Sequence, residues 1–267
     1  CSVTQTGTVE LMEATGSYWP EAHYDPEKMA SLAISGHKIA GFESVRFPFD
    51  GTVLAQTLGC TVREGTIDAQ PSLVDFPCKD INDIKNVNVP DNLLGSKRIS
   101  TILKTADIVK ESVGDEVPVI AGMVGPAGVA YSFVGISNFL TWSITNPDIL
   151  EKLFKIGTDI CIEYANALFE HGVDAVCLPD SIVCPDLFPP QLFESMVLPE
   201  YRKLNQMTKG LMILHMCGDA TDILEPISIA GFDGISIEEK VDVKYAKNVI
   251  KGRSCLIGNV SPVEMLF

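Results

Sequence analysis

Short apolar runs that alternate with helical stretches constrain the fold of this chain more than any other feature. Seven runs have the length of a strand, and most of them are apolar on both faces, which is typical of parallel strands covered by helices. Helical periodicity lies between the runs, most clearly over residues 148–169, where apolar side chains recur every three or four positions. The runs span residues 2–4, 44–49, 117–122, 174–178, 212–216, 234–237 and 255–259.

This alternation predicts an α/β protein, either a (β/α)8 TIM barrel or a doubly wound sheet. The first strand is not followed by the G-x-G-x-x-G pattern of dinucleotide-binding sheets, so the barrel is favoured. We expect one barrel domain over residues 1–267, with the last strand missing from the count. Residues 61–96 are polar and interrupted by prolines, which indicates an insertion between barrel units. Because the chain starts at Cys1 and stops in what resembles a first helical turn, we expect a fragment.

The charge and the cysteine content argue against several classes of function. The net charge is −15, from 35 acidic and 20 basic residues, and such a surface repels the phosphates of nucleic acids. The eight cysteines are irregularly spaced and mostly lie in apolar runs, which indicates free thiols in a reducing cytoplasm. The sequence has no signal peptide and no apolar run long enough to span a bilayer, so no membrane partner is expected.

Polar residues at the ends of the predicted strands are the candidates for a functional site, because barrel enzymes place their active groups at the C-terminal ends of the strands. The candidates are Arg46 and Asp50, residues 122–125, Asp180, His215 with Cys217, Glu238 with Glu239, and Asn259.

His215 and Cys217 form the most informative pair among these candidates. Residues i and i+2 of a strand point to the same face, so an imidazole and a thiol project together from one strand end. Both groups suit zinc. Gly218 then allows the backbone to turn, and Asp219 can cap the helix that follows. The spacing alone leaves a second interpretation open, in which a core cysteine lies beside a hydrogen-bonded histidine.

Glu238 is the second predicted metal ligand, at the end of the next strand. Ile235 and Ile237 share one face of that strand, so Ser236 and Glu238 share the other, and small residues suit a crowded barrel interior. We therefore expect the carboxylate of Glu238 to point towards the metal. The alternative is a solvated acidic loop in which Lys240 pairs with the carboxylates.

Three further residues have predicted roles near the substrate. Asp180 is expected either to orient a substrate or ligand or to cap a helix. Arg46 is expected either to bind an anionic substrate through charge-assisted hydrogen bonds or to form a buried pair with Asp50. Asn259 is the last residue of the last predicted strand and is expected to contact substrate.

Five stretches of the chain combine residues that are specific to one family. They are residues 1–12 (CSVTQTGTVELM), 164–166 (YAN), 214–218 (LHMCG), 234–240 (GISIEEK) and 258–260 (GNV). In these stretches the chain resembles the methylcobamide:coenzyme M methyltransferases of methanogenic archaea, within the uroporphyrinogen decarboxylase-like superfamily. The resemblance extends over nearly the whole chain.

The resemblance implies a TIM barrel, one zinc ion, and transfer of a methyl group from a methylated corrinoid, carried on a corrinoid protein, to the thiol of coenzyme M. In that family an H-x-C pair and a second cysteine at the last strand hold the zinc. His215 and Cys217 match the pair, whereas the second cysteine has no counterpart here and is expected beyond Phe267. Glu238 would occupy the open position until the thiolate arrives, and Arg46 would bind the sulfonate of coenzyme M.

Three alternatives remain open at this point. A uroporphyrinogen decarboxylase shares the barrel but binds a tetrapyrrole with many carboxylates and needs no metal, so the acidic composition and the H-x-C-G pattern argue against it. A paralogue could bind a corrinoid protein without turnover, and a related methyltransferase could act on another thiol such as homocysteine. The sequence does not specify the compound that methylates the corrinoid, whether methanol, a methylamine or a methyl sulfide.

Overall fold

Six parallel strands form the central sheet of the protein, in the order β1-β4-β5-β6-β7-β8. The structure is a computed structural model, and it describes residues 7–261, 263 and 264. A separate antiparallel pair is formed by β2 and β3. The strands are β1 (Val45–Phe47), β2 (Thr61–Arg63), β3 (Ser72–Asp75), β4 (Val119–Gly122), β5 (Ala175–Pro179), β6 (Leu211–Met216), β7 (Gly234–Ile237) and β8 (Cys255–Ile257).

The parallel strands confirm the α/β class and the strand positions that the apolar runs predict. Six of the seven runs coincide with β1 and β4–β8, while the run at residues 2–4 lies outside the described residues. The first described strand stops at Phe47, one residue before Pro48, because proline has no N–H for the ladder. The last strand ends at Ile257, so Asn259 follows the strand instead of lying within it.

Helices cover the outside of the sheet and separate its strands along the chain. Asp25 caps α2 by accepting hydrogen bonds from the backbone N–H groups of Glu27 and Lys28 at 2.9 and 3.0 Å, as the Asp-Pro-Glu pattern predicts. The helices are α1 (Val9–Thr15), α2 (Pro26–Lys38), α3 (Val53–Thr57), α4 (Lys97–Val113), α5 (Pro126–Thr145), α6 (Pro147–Glu170), α7 (Pro190–Leu192), α8 (Leu198–Met207), α9 (Leu224–Ser228) and α10 (Val243–Ile250). None of the described helices is long and apolar enough to cross a bilayer.

The buried apolar residues divide into two clusters, as expected for a TIM barrel. The larger cluster joins the outer face of the sheet to the helices and includes Ile235 and Ile237. The smaller cluster comes from the inward-facing positions of four strands and consists of Ile120, Ala175 and Cys177, with Ile213 and Ile257 packed against it. The inner cluster lies below the C-terminal ends of the strands, where the polar candidates begin.

Residues 61–96 connect α3 to α4 and contain the antiparallel pair. Thr61 pairs with Asp75, and the register shifts between Thr61 and Val62. Two cysteines on either side of the antiparallel pair contact α5: Cys60 Sγ donates to the carbonyl of Ser132 at 2.8 Å, and the N–H of Cys78 donates to the carbonyl of Phe133 at 2.9 Å. Its description as an insertion between barrel units stays a prediction.

Candidate functional site

The C-terminal end of β6 brings His215 and Cys217 together. The Cys217 Sγ atom lies 3.2 Å from His215 Nε2, so the thiol and the imidazole face each other as their i, i+2 spacing predicts. Cys217 is partly exposed, whereas most of the other described cysteines are buried. This strand end therefore presents two soft donor atoms at the mouth of the barrel.

Side chains from neighbouring segments hold this pair in place. In the parallel register His215 lies opposite Ser236 of β7, and its Nδ1 atom is 2.9 Å from Ser236 Oγ. The backbone N–H of Cys217 donates to Ser181 Oγ at 3.0 Å, from the turn that follows β5. Each candidate ligand is thus fixed by a serine on a different side of β6.

Gly218 makes the turn that follows the pair. Its φ of +82° is in the left-handed region, and an added Cβ would lie 2.7 Å from Cys184 Sγ and 2.8 Å from a carboxylate oxygen of Asp186. Its N–H donates to Glu238 Oε2 at 2.8 Å. Only glycine combines this backbone conformation with such close neighbours, so the H-x-C-G pattern has a structural reason at its fourth position.

Glu238 follows β7, and its carboxylate reaches the turn that follows the pair. One carboxylate oxygen is bound to the N–H of Gly218. Within residues 7–261, 263 and 264, no three His, Cys, Asp or Glu side chains are grouped so that they could hold a metal ion. Lys240 pairs with Asp186 at 3.5 Å, and the charges of Asp186 and, more weakly, Glu238 raise the pKa of Lys240.

Arg46 points into the barrel from β1. The residue is only 6% exposed, and its Cζ atom would lie 2.8 Å from a Cβ on Gly122, so the guanidinium passes over a glycine of β4. Nη1 donates to the carbonyl of Pro48 at 3.0 Å, while Nε is buried with no hydrogen-bond partner. Burial lowers the pKa of Arg46, and the thiol of Cys177 partly opposes this.

The pair between Arg46 and Asp50 that the sequence left open does not form. Asp50 instead contacts Arg98 Nη2, on α4, at 2.7 Å and His23 Nδ1, in the segment before α2, at 3.2 Å. Burial raises the pKa of Asp50, but His23 and Arg98 outweigh it and hold that pKa far below its usual value. Among the described residues Arg46 has no ion pair with a carboxylate.

Asp180 lies at the end of β5 and is 2% exposed. Its carboxylate accepts hydrogen bonds from the N–H groups of Ala127 and Gly128 at 3.1 and 2.7 Å, and from Tyr201 Oη at 2.8 Å. Burial raises the pKa of Asp180 to about 6, against the lowering effect of these three donors. The contacts are those of a cap on α5, the alternative role that the sequence allowed.

Asn259 follows β8 and uses its side chain to hold the loop after β7. Its Nδ2 donates to the carbonyl of Glu238 at 3.1 Å and to that of Val241 at 2.7 Å. The same loop carries the Glu238 carboxylate. Its predicted contact with substrate is not tested by this geometry.

The electrostatics of the pair favour an uncharged imidazole. Burial lowers the pKa of His215, and the positive charge of Arg46 lowers it further, while Glu238 raises it. Inside the barrel, burial raises the pKa of Cys177 to about 11 although Arg46 acts in the opposite direction. A neutral imidazole has a free lone pair, which is the form that binds metals.

Sequence reasoning did not identify Ser181 or Ser236 as part of this site, whereas Gly122 is among the predicted strand-end candidates. For Ser236 a signal existed, because it shares the inward face of β7 with Glu238 and lies one strand from His215. The contact of Ser181 depends on the backbone of Cys217, 36 residues later in the chain, and no local pattern marks it.

Known proteins of one family are similar to this chain over nearly its whole length. The family model described as "Uroporphyrinogen decarboxylase (URO-D)" matches residues 1–267. The methylcobamide:CoM methyltransferase MtaA of Methanosarcina barkeri is 40% identical over 262 residues, which cover 98% of this chain and 77% of the relative. The methylcobamide:CoM methyltransferase MtbA of Methanosarcina mazei is 38% identical over 267 residues, with 99% and 78% covered.

A solved structure shows that the likeness includes the fold. A methyltransferase from Methanosarcina mazei superimposes with a TM-score of 0.94 at 40% sequence identity, covering 100% of this chain and 81% of its own. Similarity of this extent cannot come from one shared motif, since it includes the strands on both sides of β6.

Proposed function

The chain belongs to the uroporphyrinogen decarboxylase (URO-D) family, and from this membership and its likeness to methylcobamide:CoM methyltransferases we propose that it transfers a methyl group from a methylcobamide to the thiol of coenzyme M. It is a methyltransferase by this relationship. The observation that carries the proposal is the His215–Cys217 pair, which lies at the C-terminal end of β6 with its two donor atoms 3.2 Å apart. We propose zinc as the metal that this pair binds.

The donor atoms of the pair fit a zinc ion. Two neighbouring ligands in a tetrahedral shell, with Zn–N near 2.0 Å and Zn–S near 2.3 Å, are about 3.5 Å apart. The observed separation of 3.2 Å is close to this value, and the hydrogen bond at Nδ1 leaves Nε2 facing the thiol. Glu238 is proposed as a replaceable fourth group, and the second cysteine of the family's zinc site as the third protein ligand.

A zinc ion held there would supply one piece of chemistry, the deprotonation of a substrate thiol at neutral pH. The thiolate sulfur of coenzyme M then attacks the methyl carbon. The carbon–cobalt bond breaks, and both of its electrons remain on cobalt as Co(I). The other end of the substrate carries a sulfonate, which needs a cation.

Arg46 is our candidate for the sulfonate end. Its guanidinium is buried in the barrel, has an unused Nε–H, and has no carboxylate partner among the described residues. An unbalanced buried cation is costly, and a bound sulfonate would balance it through charge-assisted hydrogen bonds. Asp180 is proposed to support the site by holding the start of α5, and Asn259 by holding the loop of Glu238.

The methyl donor is proposed to arrive on a methylated corrinoid protein in the course of methanogenesis from methylated compounds. The partial exposure of Cys217 suits a methyl donor that is delivered by another protein. We also propose a cytoplasmic location, supported by the free thiols of the seven described cysteines, all of which are unpaired.

Metal analysis of the whole natural protein, combined with a thiol-alkylation assay, tests the proposal. We expect about one zinc per chain and methylation of coenzyme M by methylcobalamin, with both lost in His215→Ala and Cys217→Ser. Ser254→Ala is a matched control, because Ser254 is buried and its hydroxyl donates to the carbonyl of Phe232, outside the site. A protein without zinc and without alkylation would refute the proposal.

A further inference from the structure

Ser236 and His215 face each other across β6 and β7, and their contact has a consequence for the metal-binding atom. The two residues are register partners, and His215 Nδ1 lies 2.9 Å from Ser236 Oγ. Ser236 is 5% exposed, so its hydroxyl is fixed within the barrel rather than in bulk water. The other ring nitrogen, Nε2, points at Cys217 Sγ.

A neutral imidazole carries one N–H and one lone pair, so the state of one nitrogen fixes that of the other. If Nδ1 holds the hydrogen and donates it to Ser236 Oγ, the lone pair of Nε2 faces Cys217 and can bind a metal. If Nε2 holds the hydrogen, the same position is blocked. In free histidine neither tautomer is fixed, so in a protein a neighbouring group determines which nitrogen carries the hydrogen.

We propose that Ser236 is the positioning residue that holds His215 in the Nδ1–H tautomer and so presents the Nε2 lone pair next to Cys217. The inference rests on the proposed function and deepens it. Metal-binding histidines commonly donate their second N–H to a carboxylate, a carbonyl or water. Here the described partner is a serine hydroxyl, which accepts the hydrogen without adding a charge beside the site.

Ser181 performs a different task on the same pair. It accepts the backbone N–H of Cys217 at 3.0 Å and does not contact the imidazole nitrogens in the described hydrogen bonds. Removing its hydroxyl would loosen the backbone at Cys217 without altering the tautomer of His215. The two serines can therefore be separated by experiment.

The tautomer can be read by long-range 15N–1H NMR at pH 8 on protein labelled at histidine and freed of metal. Comparison with a His215→Gln variant assigns the signals of His215. We expect His215 to be the Nδ1–H form in the wild type and in Ser181→Ala, and to shift towards Nε2–H in Ser236→Ala. Ser236→Thr, which keeps the hydroxyl, should restore the wild-type form.

Zinc affinity, measured by competition with a chromophoric chelator, provides the second readout. Loss of such an outer partner typically lowers metal affinity by about 10- to 100-fold, and we expect this for Ser236→Ala, with recovery in Ser236→Thr. Ser254→Ala should leave the affinity unchanged, since its hydroxyl donates to the carbonyl of Phe232.

The outcomes separate this inference from the proposed function. A wild type that binds zinc while Ser236→Ala keeps both the Nδ1–H tautomer and the affinity overturns the role of Ser236 alone. An Nε2–H tautomer of His215 in the wild type would likewise overturn the role of Ser236 alone. A wild type without zinc affinity refutes the zinc site itself. Equal unfolding temperatures of the metal-free serine variants would show that the barrel is intact.

Discussion

Replacing Arg46 with methionine should separate substrate binding from the stability of the barrel. The guanidinium is buried, donates one hydrogen bond to the carbonyl of Pro48, and has no carboxylate partner among the described residues. Methionine has a similar length and no charge, so it can fill the space over Gly122 without the cost of burying a cation. The free energy of unfolding should therefore change little, while an anionic substrate loses the cation that binds it.

The expected change in affinity for coenzyme M follows from the loss of a charge-assisted hydrogen bond to its sulfonate. A hydrogen bond to a charged group contributes about 1.5–3 kcal/mol, and each 1.4 kcal/mol corresponds to tenfold in affinity. We expect Arg46→Met to raise the KM for coenzyme M by roughly 10- to 150-fold. With 2-mercaptoethanol, a thiol that lacks the sulfonate, the variant and the wild type should have the same KM.

The assay is methyl transfer from methylcobalamin to each of the two thiols, at equal zinc content. Gly122→Ala provides a second route to the same result, because its Cβ would collide with the guanidinium of Arg46. The unfolding temperature of Arg46→Met should be unchanged or higher, since replacing a buried charge by an apolar side chain is often neutral or stabilising. An equal loss with both thiols would refute the sulfonate contact.

Three further outcomes are expected. Glu238→Gln should weaken zinc retention in the free enzyme yet still allow thiol binding; unchanged zinc affinity and unchanged methyl transfer would remove Glu238 from the site. Folding raises the pKa of Asp180 from 3.8 to about 6, so the folded protein binds this proton more tightly than the unfolded chain does. The resulting contribution to the free energy of unfolding, about 3 kcal/mol, is present below pH 4 and is lost as the pH rises through 6. Denaturant unfolding between pH 4 and 7.5 should therefore show that the free energy of unfolding falls more for the wild type than for Asp180→Asn. Parallel plots of unfolding free energy against pH for the two proteins would contradict this. Gly218→Ala should abolish zinc binding and lower the free energy of unfolding more than Gly16→Ala does. Both glycines have a positive φ, but an added Cβ at position 218 would lie 2.7 Å from Cys184 Sγ, whereas one at position 16 has nothing within 4 Å. Equal losses of unfolding free energy would show that the collision is relieved.

Much of the fold could be predicted because it depends on local patterns. Runs that are apolar on both faces identify parallel strands, and the Asp25 cap and the proline after it mark the start of α2. The strand ends were less certain: β1 stops before Pro48 and β8 stops before Asn259. The strand at residues 2–4 lies outside the described residues and stays a prediction.

Part of the site was predictable for the same reason. The i, i+2 spacing of His215 and Cys217 is a property of one strand, and the structure brings their donor atoms to 3.2 Å. Alternation along β7 likewise places Glu238 on the inner side, where its carboxylate reaches the N–H of Gly218. The choice between the two roles of Asp180 could not be made from sequence, because its two backbone donors lie 52 and 53 residues earlier in the chain.

The sequence by itself determined the six described parallel strands, the inward and outward faces of β7, the pair at the end of β6 and the family. The tertiary structure decided which groups hold that pair. Ser236 and Ser181 reach His215 and Cys217 only through the parallel register of β5, β6 and β7, and Asp50 pairs with Arg98 rather than with Arg46. The reason is physical: the period of a strand fixes the direction of its own side chains, but contacts between strands depend on register and on how the sheet curves, which no single segment encodes.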